Sequence, residues 1–502
     1  MATVFMKWLE ANAADYDRGI RLLTLGRLTA LQRTLVREFV APGITVLEIG
    51  CGTGALAASM AEAGAEVTGI DSSEAMLAEA RGRLGRTAVA DRVKLAHMDA
   101  TVVADHFDVG TFDLIVASLV LSELPSGERS HVLSACRRLL APQGRLLVID
   151  EVVPEGRLNR VAYRLVRWAM ALVTWLLTRA STHVLSDLPQ TLERTGYRSR
   201  RAASALAGSL VLVAAEAVPS SAALEALPPQ VAGRLRHRVT LRTLLTDIWA
   251  LFFRIIPPYP KVTPGLYAIG EPGPGDPVLV TGNFDLTVRR LLRALDRQVD
   301  CWLLVADSAG INVWCAAGGG FFTADKVIAA VKSSRLDEVV NHHALILPQL
   351  CANGVDGWRL RRELGWGVHW GPARARDIPA YLAGHRKKTD AMRWVDFPLP
   401  ARLEMVTATL GFYGLLILVP LALVARPLFW PTLVAMLGLS YFYAVAEPWL
   451  PGRDGLSKSV PLALIALAGL AVYTRAWDPT SAASLFNRGL GIVALAVFTG
   501  AE

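Results

Sequence analysis

From residue 40 to 217 the chain alternates short apolar runs with stretches of helical period. The runs are ITVLEIG, AEVTGID, VKLAHMD, FDLIVAS and GRLLVIDEV, and each closes on a turn or a polar residue. Strand-length apolar runs interleaved with helices predict a mostly parallel, doubly wound α/β sheet. The pattern returns from Gly265 to Leu399, with strands expected at PVLVTG, CWLLVAD, HALIL and GWGVHW and helices over 286–298 and 323–333. Between the two lie PSSAALEALPPQ, a linker composition, and an arginine-rich apolar stretch, Val231–Ile256, closed by PPYPKVTP. That stretch reads either as a helix lying on a membrane surface or as one packed between domains.

The tail after about Met405 breaks the pattern. Met405–Ala425 is long enough to cross a bilayer and Leu428–Ala446 nearly so, since about 20 apolar residues suffice. Val460–Thr474 and Leu490–Gly500 reach that length only with their flanks. The expected organisation is a first α/β domain over 1–217, a linker with an amphipathic helix over 218–264, a second α/β domain over 265–400, and an α-helical transmembrane domain over 401–502. The basic cluster GHRKKTDAMRW precedes the first span, and the N-terminal MATVFMKWLEANAADYD lacks the pattern of an export signal. Both place the α/β domains in the cytoplasm and the chain in the cytoplasmic membrane as a multi-pass protein.

Composition sharpens this in three ways. Hydrophobic residues make up 53% of the 502, high for a wholly soluble chain, and the excess lies in the tail. The net charge of +8 is modest for the length, and the arginines are scattered without interleaved aromatics. That gives no support to a nucleic-acid partner and favours a solvated face or a membrane-proximal surface, with membrane lipid as partner. Five cysteines, at 51, 136, 301, 315 and 351, form no CxxC pair. An odd count without such pairs argues against a disulfide framework, a zinc site and an iron–sulfur cluster.

Candidate chemistry begins in VLEIGCGTGALA, where Glu48 precedes Gly50, Gly52 and Gly54 at the end of the first strand. Such a turn passes close under a ligand and starts a helix at once. Taken alone it also suits a dinucleotide enzyme. Asp71 ends the second strand, where a carboxylate can take two ribose hydroxyls, although alone it reads as a turn residue. Met98 and Asp99 end the third strand. Together these residues resemble the class I S-adenosylmethionine-dependent methyltransferases over roughly residues 40–217. The resemblance implies a Rossmann-like fold and S-adenosylmethionine as cofactor. Its contacts would fall at Gly50, Gly52, Asp71, Met98 and Asp99, with Glu48 and Gly54 completing the binding turn. ASLVLSELP lacks the family's Asn-Pro-Pro-aromatic pattern, so no general base stands out among Glu123, His97 and His131. An acceptor that is already a strong nucleophile needs none. Arg157–Thr178, apolar with interspersed arginines, reads as a lid or as a membrane-facing helix.

In the second domain the stretch GINVWCAAGGG sets Cys315 between Trp314 and a run of nearly bare backbone, Ala316, Ala317 and Gly318–Gly320. Asn312 is the expected helix cap. Cys315 then falls in the first helical turn, where the helix dipole favours a thiolate. A buried structural cysteine is the other reading. KVTPGLYAIGEPGPGDPVLVTGNF, INVWCAAGGGFFTADKVI, HHALILPQL and VHWGPARARDIPAYL resemble the corrinoid subunit of the bacterial mercury-methylating pair. They resemble, more distantly, the corrinoid domain of the acetyl-CoA pathway iron–sulfur protein. The resemblance implies a corrinoid cofactor of cobalamin type, with Cys315 as catalytic residue and cobalt ligand. Thr281, Asn283, Asn312, Leu347, Pro348 and Gln349 would cradle the corrin, with Trp314, Ala316 and Ala317 beside the sulfur. One departure is Gly319, where the mercury methylators carry lysine. Cys301 and Cys351 match no ligand position and read as core.

The expectation is a membrane-anchored corrinoid-dependent methyltransferase. It would cycle between cobalt(I) and methyl-cobalt(III), with a soft acceptor such as Hg(II) and the N-terminal domain as methyl donor. Re-reduction of cobalt would fall to a separate ferredoxin-like iron–sulfur protein. The alternatives are a bifunctional protein whose first domain methylates a separate small molecule, and a non-catalytic membrane corrinoid carrier or sensor. Glu447, near the end of the second span, reads either as part of a polar site or as an interfacial loop residue.

Overall fold

The computed structural model describes residues 15–154, 156, 160, 163, 185, 188–218, 231–237, 239–295 except 254–259, 298–452 and 455–476. The first fourteen residues, most of Arg157–Thr178, most of the Pro/Ser-rich linker and Leu490–Gly500 lie outside them. The chain separates into two compact units. One joins Met1–His237 to Pro260–Arg393, and the other joins Arg238–Tyr259 to Trp394–Glu502.

The first unit holds two sheets. Strands β1 (Thr45–Ile49), β2 (Glu66–Asp71), β3 (Val93–His97), β4 (Phe112–Ser118), β5 (Leu140–Glu151), β6 (Tyr197–Ala205) and β7 (Leu210–Ala217) form a seven-stranded sheet. Its order is β3-β2-β1-β4-β5-β7-β6. β1 to β5 are mutually parallel, and β7 returns antiparallel between β5 and β6. Alternate residues of β1 feed opposite cores: Leu47 and Ile49 lie in one, Val46 in the other. A strand buried on both faces reads as a continuous apolar run, which is why these strands are so visible in the sequence.

Strands β8 (Val231–Arg234), β9 (Gly265–Ile269), β10 (Val278–Gly282), β11 (Cys301–Ala306), β12 (Ala344–Leu347) and β13 (Gly367–Trp370) form the second sheet, in the order β13-β12-β10-β11-β9-β8. β10 to β13 are parallel, and β9 runs antiparallel to β11. Here the structure corrects the sequence. Val231–Arg234, expected to open a linker helix, is an edge strand pairing parallel with β9, Val231 opposite Leu266 and Arg234 opposite Ala268. Pairing satisfies backbone groups that β9 would otherwise leave open. The helix of that stretch is confined to Leu241–Phe253 and belongs to the other unit.

That other unit is helical. Helices form over Leu399–Val424, Arg426–Ala446 and Gly455–Ala476, where the first three spans were expected. Among the described residues one helix, Leu399–Val424, is long and apolar enough to cross a membrane. Leu241–Phe253 packs on it, so closely that a methyl at Gly411 would stand 1.8 Å from the carbonyl oxygen of Phe252. Glu447 lies in a short helical turn and is held by two cations: Arg402 Nη1 at 3.2 Å from its Oε2, and Lys458 on its Oε1.

Candidate functional site

Both sheets carry their candidate residues at the carboxyl ends of parallel strands, beside the point where strand order reverses. In the first sheet the reversal falls between β1 and β4, in the second between β10 and β12. Such crevices are where open α/β sheets hold ligands.

In the first sheet Gly50, Gly52 and Gly54 all have positive φ, +68°, +51° and +71°. At Gly50 a Cβ would stand 2.2 Å from Val120 Cγ2, while over Gly52 nothing lies within 4 Å. The backbone is therefore closed on its β4 side and bare at Gly52. Asp71 Oδ2 accepts the Gly52 amide at 2.8 Å and its Oδ1 accepts the Ser73 amide at 2.8 Å, so one carboxylate ties two strand ends together. Glu48 is buried. Burial, and then the neighbouring Asp71 charge, hold its pKa well above the carboxylate range. Its Oε2 has no hydrogen-bond partner. Met98 packs against the core, and Asp99 caps the turn after β3, accepting from Thr101 N at 2.9 Å and Thr101 Oγ1 at 2.6 Å. His97 and His131 each meet a backbone oxygen, that of Ser72 at 3.0 Å and that of Thr101 at 2.9 Å. Burial pushes the His131 pKa down.

Two carboxylates that the sequence reading passed over stand at the end of β5. Asp150 is fully buried, accepts the Ser122 amide at 3.0 Å, and is pushed up to about 7 by burial against the pull of that bonding and of Arg129. Glu151, also buried, accepts from the Tyr163 hydroxyl at 2.6 Å. The signal was available: VIDEV sets two acids at the end of an otherwise apolar strand.

In the second sheet the cap forms as expected. Asn312 accepts the Trp314 amide at 3.1 Å and opens the helix Val313–Gly318. Cys315 is exposed while Cys51, Cys136, Cys301 and Cys351 are buried. Burial pushes the thiols of Cys136, Cys301 and Cys351 up to about 12. Ala316 and Ala317 face the core, and Trp314 stands half exposed. Over Gly320 nothing lies within 4 Å, and beside Gly318 only the Asn353 amide approaches, at 3.8 Å. At Gly319 a Cβ would stand 3.1 Å from the Cys315 carbonyl oxygen. The soft donor thus sits on a bare shelf.

Thr281 and Asn283, expected at the edge of a bound corrin, lie inside at 1% exposure. Asn283 donates to Asp307 Oδ1 at 2.8 Å, and its Oδ1 accepts from Ser308 N, Ser308 Oγ and Gly310 N at 3.1, 2.9 and 2.8 Å. It builds the turn that leads to Cys315 rather than presenting free polar atoms. Leu347 is buried too, Pro348 precedes a short turn, and Gln349 Oε1 accepts from Lys388.

The two domains of this unit meet along the Ser126–Leu139 and Ala324–Ser334 helices. Val102, partly buried, packs against the second domain's core, and Lys332 Nζ lies 3.0 Å from Asp105 Oδ2. Glu128 is trapped at this junction. It is 3% exposed, and its Oε1 has no partner. Burial pushes it up to about 7. Lys326 opposes the rise, and the charges of Asp99, beyond β3, and Asp307, beyond β11, add to it.

The fold and first site define an α/β methyltransferase. The family model for a methyltransferase domain matches residues 46–144. A demethylmenaquinone methyltransferase of Clavibacter sepedonicus is 35% identical over 175 residues, 34% of this chain and 68% of that one. The chain belongs, through this part, to the methyltransferases, and it is an enzyme of that class. Magnesium protoporphyrin IX methyltransferase from Synechocystis PCC 6803, solved with bound SAM, aligns at a TM-score of 0.30 and 24% identity, covering 39% of this chain and 81% of that one. Residues 256–382 match the family model of the CO dehydrogenase/acetyl-CoA synthase delta subunit. The gamma subunit of the acetyl-CoA decarbonylase/synthase complex of Archaeoglobus fulgidus is 39% identical over 123 residues, 24% of this chain and 26% of that one. The chain thus spans about a quarter of the length of that relative.

Proposed function

We propose that the protein is a membrane-anchored, corrinoid-dependent methyltransferase whose N-terminal domain draws a methyl group from S-adenosylmethionine and whose second domain relays it to a soft acceptor such as Hg(II). The observation that carries this reading is the docking of the two α/β domains along the Ser126–Leu139 and Ala324–Ser334 helices, with Lys332 Nζ 3.0 Å from Asp105 Oδ2. Tethered sites raise the effective concentration of one reactant at the other.

The residues present fit both groups. Bare backbone over Gly52 and the Asp71 carboxylate suit an adenosine-type ligand, with Asp71 taking the ribose hydroxyls and Asp99 near the base. The exposed Cys315 thiol beside Gly318 and Gly320 suits a broad flat corrin, with sulfur as a soft ligand. When bound, the corrin supplies a reduced cobalt nucleophile that needs no general base. Ala316, Ala317 and the Asn283 turn fix the helix that carries Cys315. A ferredoxin-like iron–sulfur protein supplies the electrons, and the helical unit anchors the enzyme as a multi-pass protein with both α/β domains in the cytoplasm.

A second reading rests on Asp150 and the Glu151–Tyr163 pair. Buried acids at the end of β5 are equipped to hold a proton, as methylation of an unactivated small molecule requires. On this reading the first domain acts on its own acceptor, a quinone-like ring being the class that the Clavibacter relative's name suggests.

One experiment separates them. Full-length protein is given chemically reduced corrinoid and methyl-labelled S-adenosylmethionine without oxygen. Label on the corrinoid, lost in Asp71→Ala, is expected. Label reaching the corrinoid from a methylfolate but never from S-adenosylmethionine would overturn the relay.

A further inference from the structure

We infer that the seam between the two α/β domains holds a third ligand site, selective for a small organic oxyanion, phosphate or carboxylate, whose binding locks the domains together. A cavity of about 390 Å³ opens there. The first domain lines it with Ser126, Gly127, Thr191 and Arg194, and the second with Gly265 and Ser334. No aspartate or glutamate stands among its described lining residues.

Three features point the same way. The Ser126–Leu139 helix begins after Pro125 with no side-chain cap, so the amides of Ser126 and Gly127 enter the cavity wall unpaired among the described residues. Four amides of a helix start lack intrahelical acceptors, and the dipole there favours negative charge. Independently, Thr191 is 6% exposed, lines the cavity, and its hydroxyl meets no partner among the described residues. Its oxygen is not among the fully buried unpaired side-chain atoms, so it stays within reach of a ligand oxygen entering the cavity. Arg194, exposed on the same wall, makes no ion pair among the described residues, and a guanidinium there adds a charge-assisted donor for an oxyanion.

The volume says more about the ligand. A lone phosphate would leave most of 390 Å³ empty, so the oxyanion is one end of a larger molecule. The remaining wall is mixed: Val231 and Pro264 are apolar, and Ser333 and Ser334 spend their hydroxyls on Ala330 O, at 3.3 and 2.7 Å. The ligand body is therefore weakly polar. Because the walls come from both domains, a ligand that contacts both walls binds the docked arrangement and not the separated one. By mass action it favours docking.

The test is independent of the relay proposed above, because it needs neither corrinoid nor S-adenosylmethionine. Full-length protein is titrated with inorganic phosphate and, separately, with acetate, at constant ionic strength. Heat of binding and hydrogen exchange over 126–139 and 324–334 are followed. Saturable binding of at least one anion is expected, with exchange slowed at least 3-fold on both helices. Arg194→Gln and Thr191→Val should each weaken binding at least 5-fold while leaving thermal unfolding of the free protein unchanged. Preference for phosphate or for acetate then names the ligand class. Absence of saturable binding of either up to 20-fold above the protein's own concentration and on to millimolar anion, or binding unaltered in both variants, would overturn the site.

Discussion

Lys332 of the second domain lies 3.0 Å from Asp105 of the first, an ion pair across the seam between two domains. Its side chains are 31% and 48% exposed, so the pair orients the contact more than it stabilises it, with a worth below about 1 kcal/mol. The apolar contact beside it does more. Lys332→Ala should leave docking intact. Val102→Asp, which puts a charge against the second domain's core, should undock the domains and lower methyl transfer to corrinoid at least 10-fold, with S-adenosylmethionine binding retained. Cross-linking across the seam and the labelling assay check both.

Cys315 is exposed and its helix rests on Val313, Ala316 and Ala317. Cys315→Ala should therefore change stability by no more than about 0.5 kcal/mol. It should abolish any sulfur–cobalt absorption feature and transfer to the final acceptor. An unchanged spectrum of the corrinoid-loaded variant would show that the sulfur is no ligand.

Gly50 and Gly52 should separate stability from binding. Ala at 50 meets Val120 at 2.2 Å with φ at +68°, two penalties that together cost on the order of 2–4 kcal/mol. Ala at 52 has open space and pays only for φ, about 1–2 kcal/mol. Denaturant titration should rank Gly50→Ala as the less stable. Gly52→Ala should show the larger loss of cofactor affinity for its loss of stability.

Glu128 makes docking depend on pH. Its folded pKa, about 7, lies above the ordinary 4.5. The folded junction thus favours the protonated acid. That stability is fully present below pH 4.5 and is lost as pH rises through 7, an effect of order 3 kcal/mol. Domain docking should weaken from pH 5 to pH 7 and level off above that, and Glu128→Gln should flatten that dependence. Hydrogen exchange at the seam across this range is the measurement. A slope unchanged in Glu128→Gln would assign it elsewhere.

The strands were legible because they are buried on both faces: FDLIVAS and CWLLVAD need no partner to be recognised. The turn at Gly50–Gly54 and the Asn312 cap were legible because positive φ and helix capping each demand few residue types. Val231–Arg234 was not, since an edge strand containing a glycine shows neither apolar run nor alternation. Asn283 shows a different limit. Its residue type suggested a ligand contact, and only the fold reveals four hydrogen bonds already spent on the protein. Glu128 and Asp150 are hidden for a third reason: burial, which sets their chemistry, is a property of the assembled domains.

The contact between Gly411 and Phe252 has a consequence for modular exchange. Two stretches that flank the second α/β domain in sequence meet backbone to backbone, with no room for a methyl group. Any chimera that imports a foreign domain between them must carry over both stretches as a matched pair, and position 411 is closed to every residue but glycine. Domain shuffling in such a chain is a cassette operation, with the cut sites inside the helical unit's two halves forbidden and those at its borders permitted.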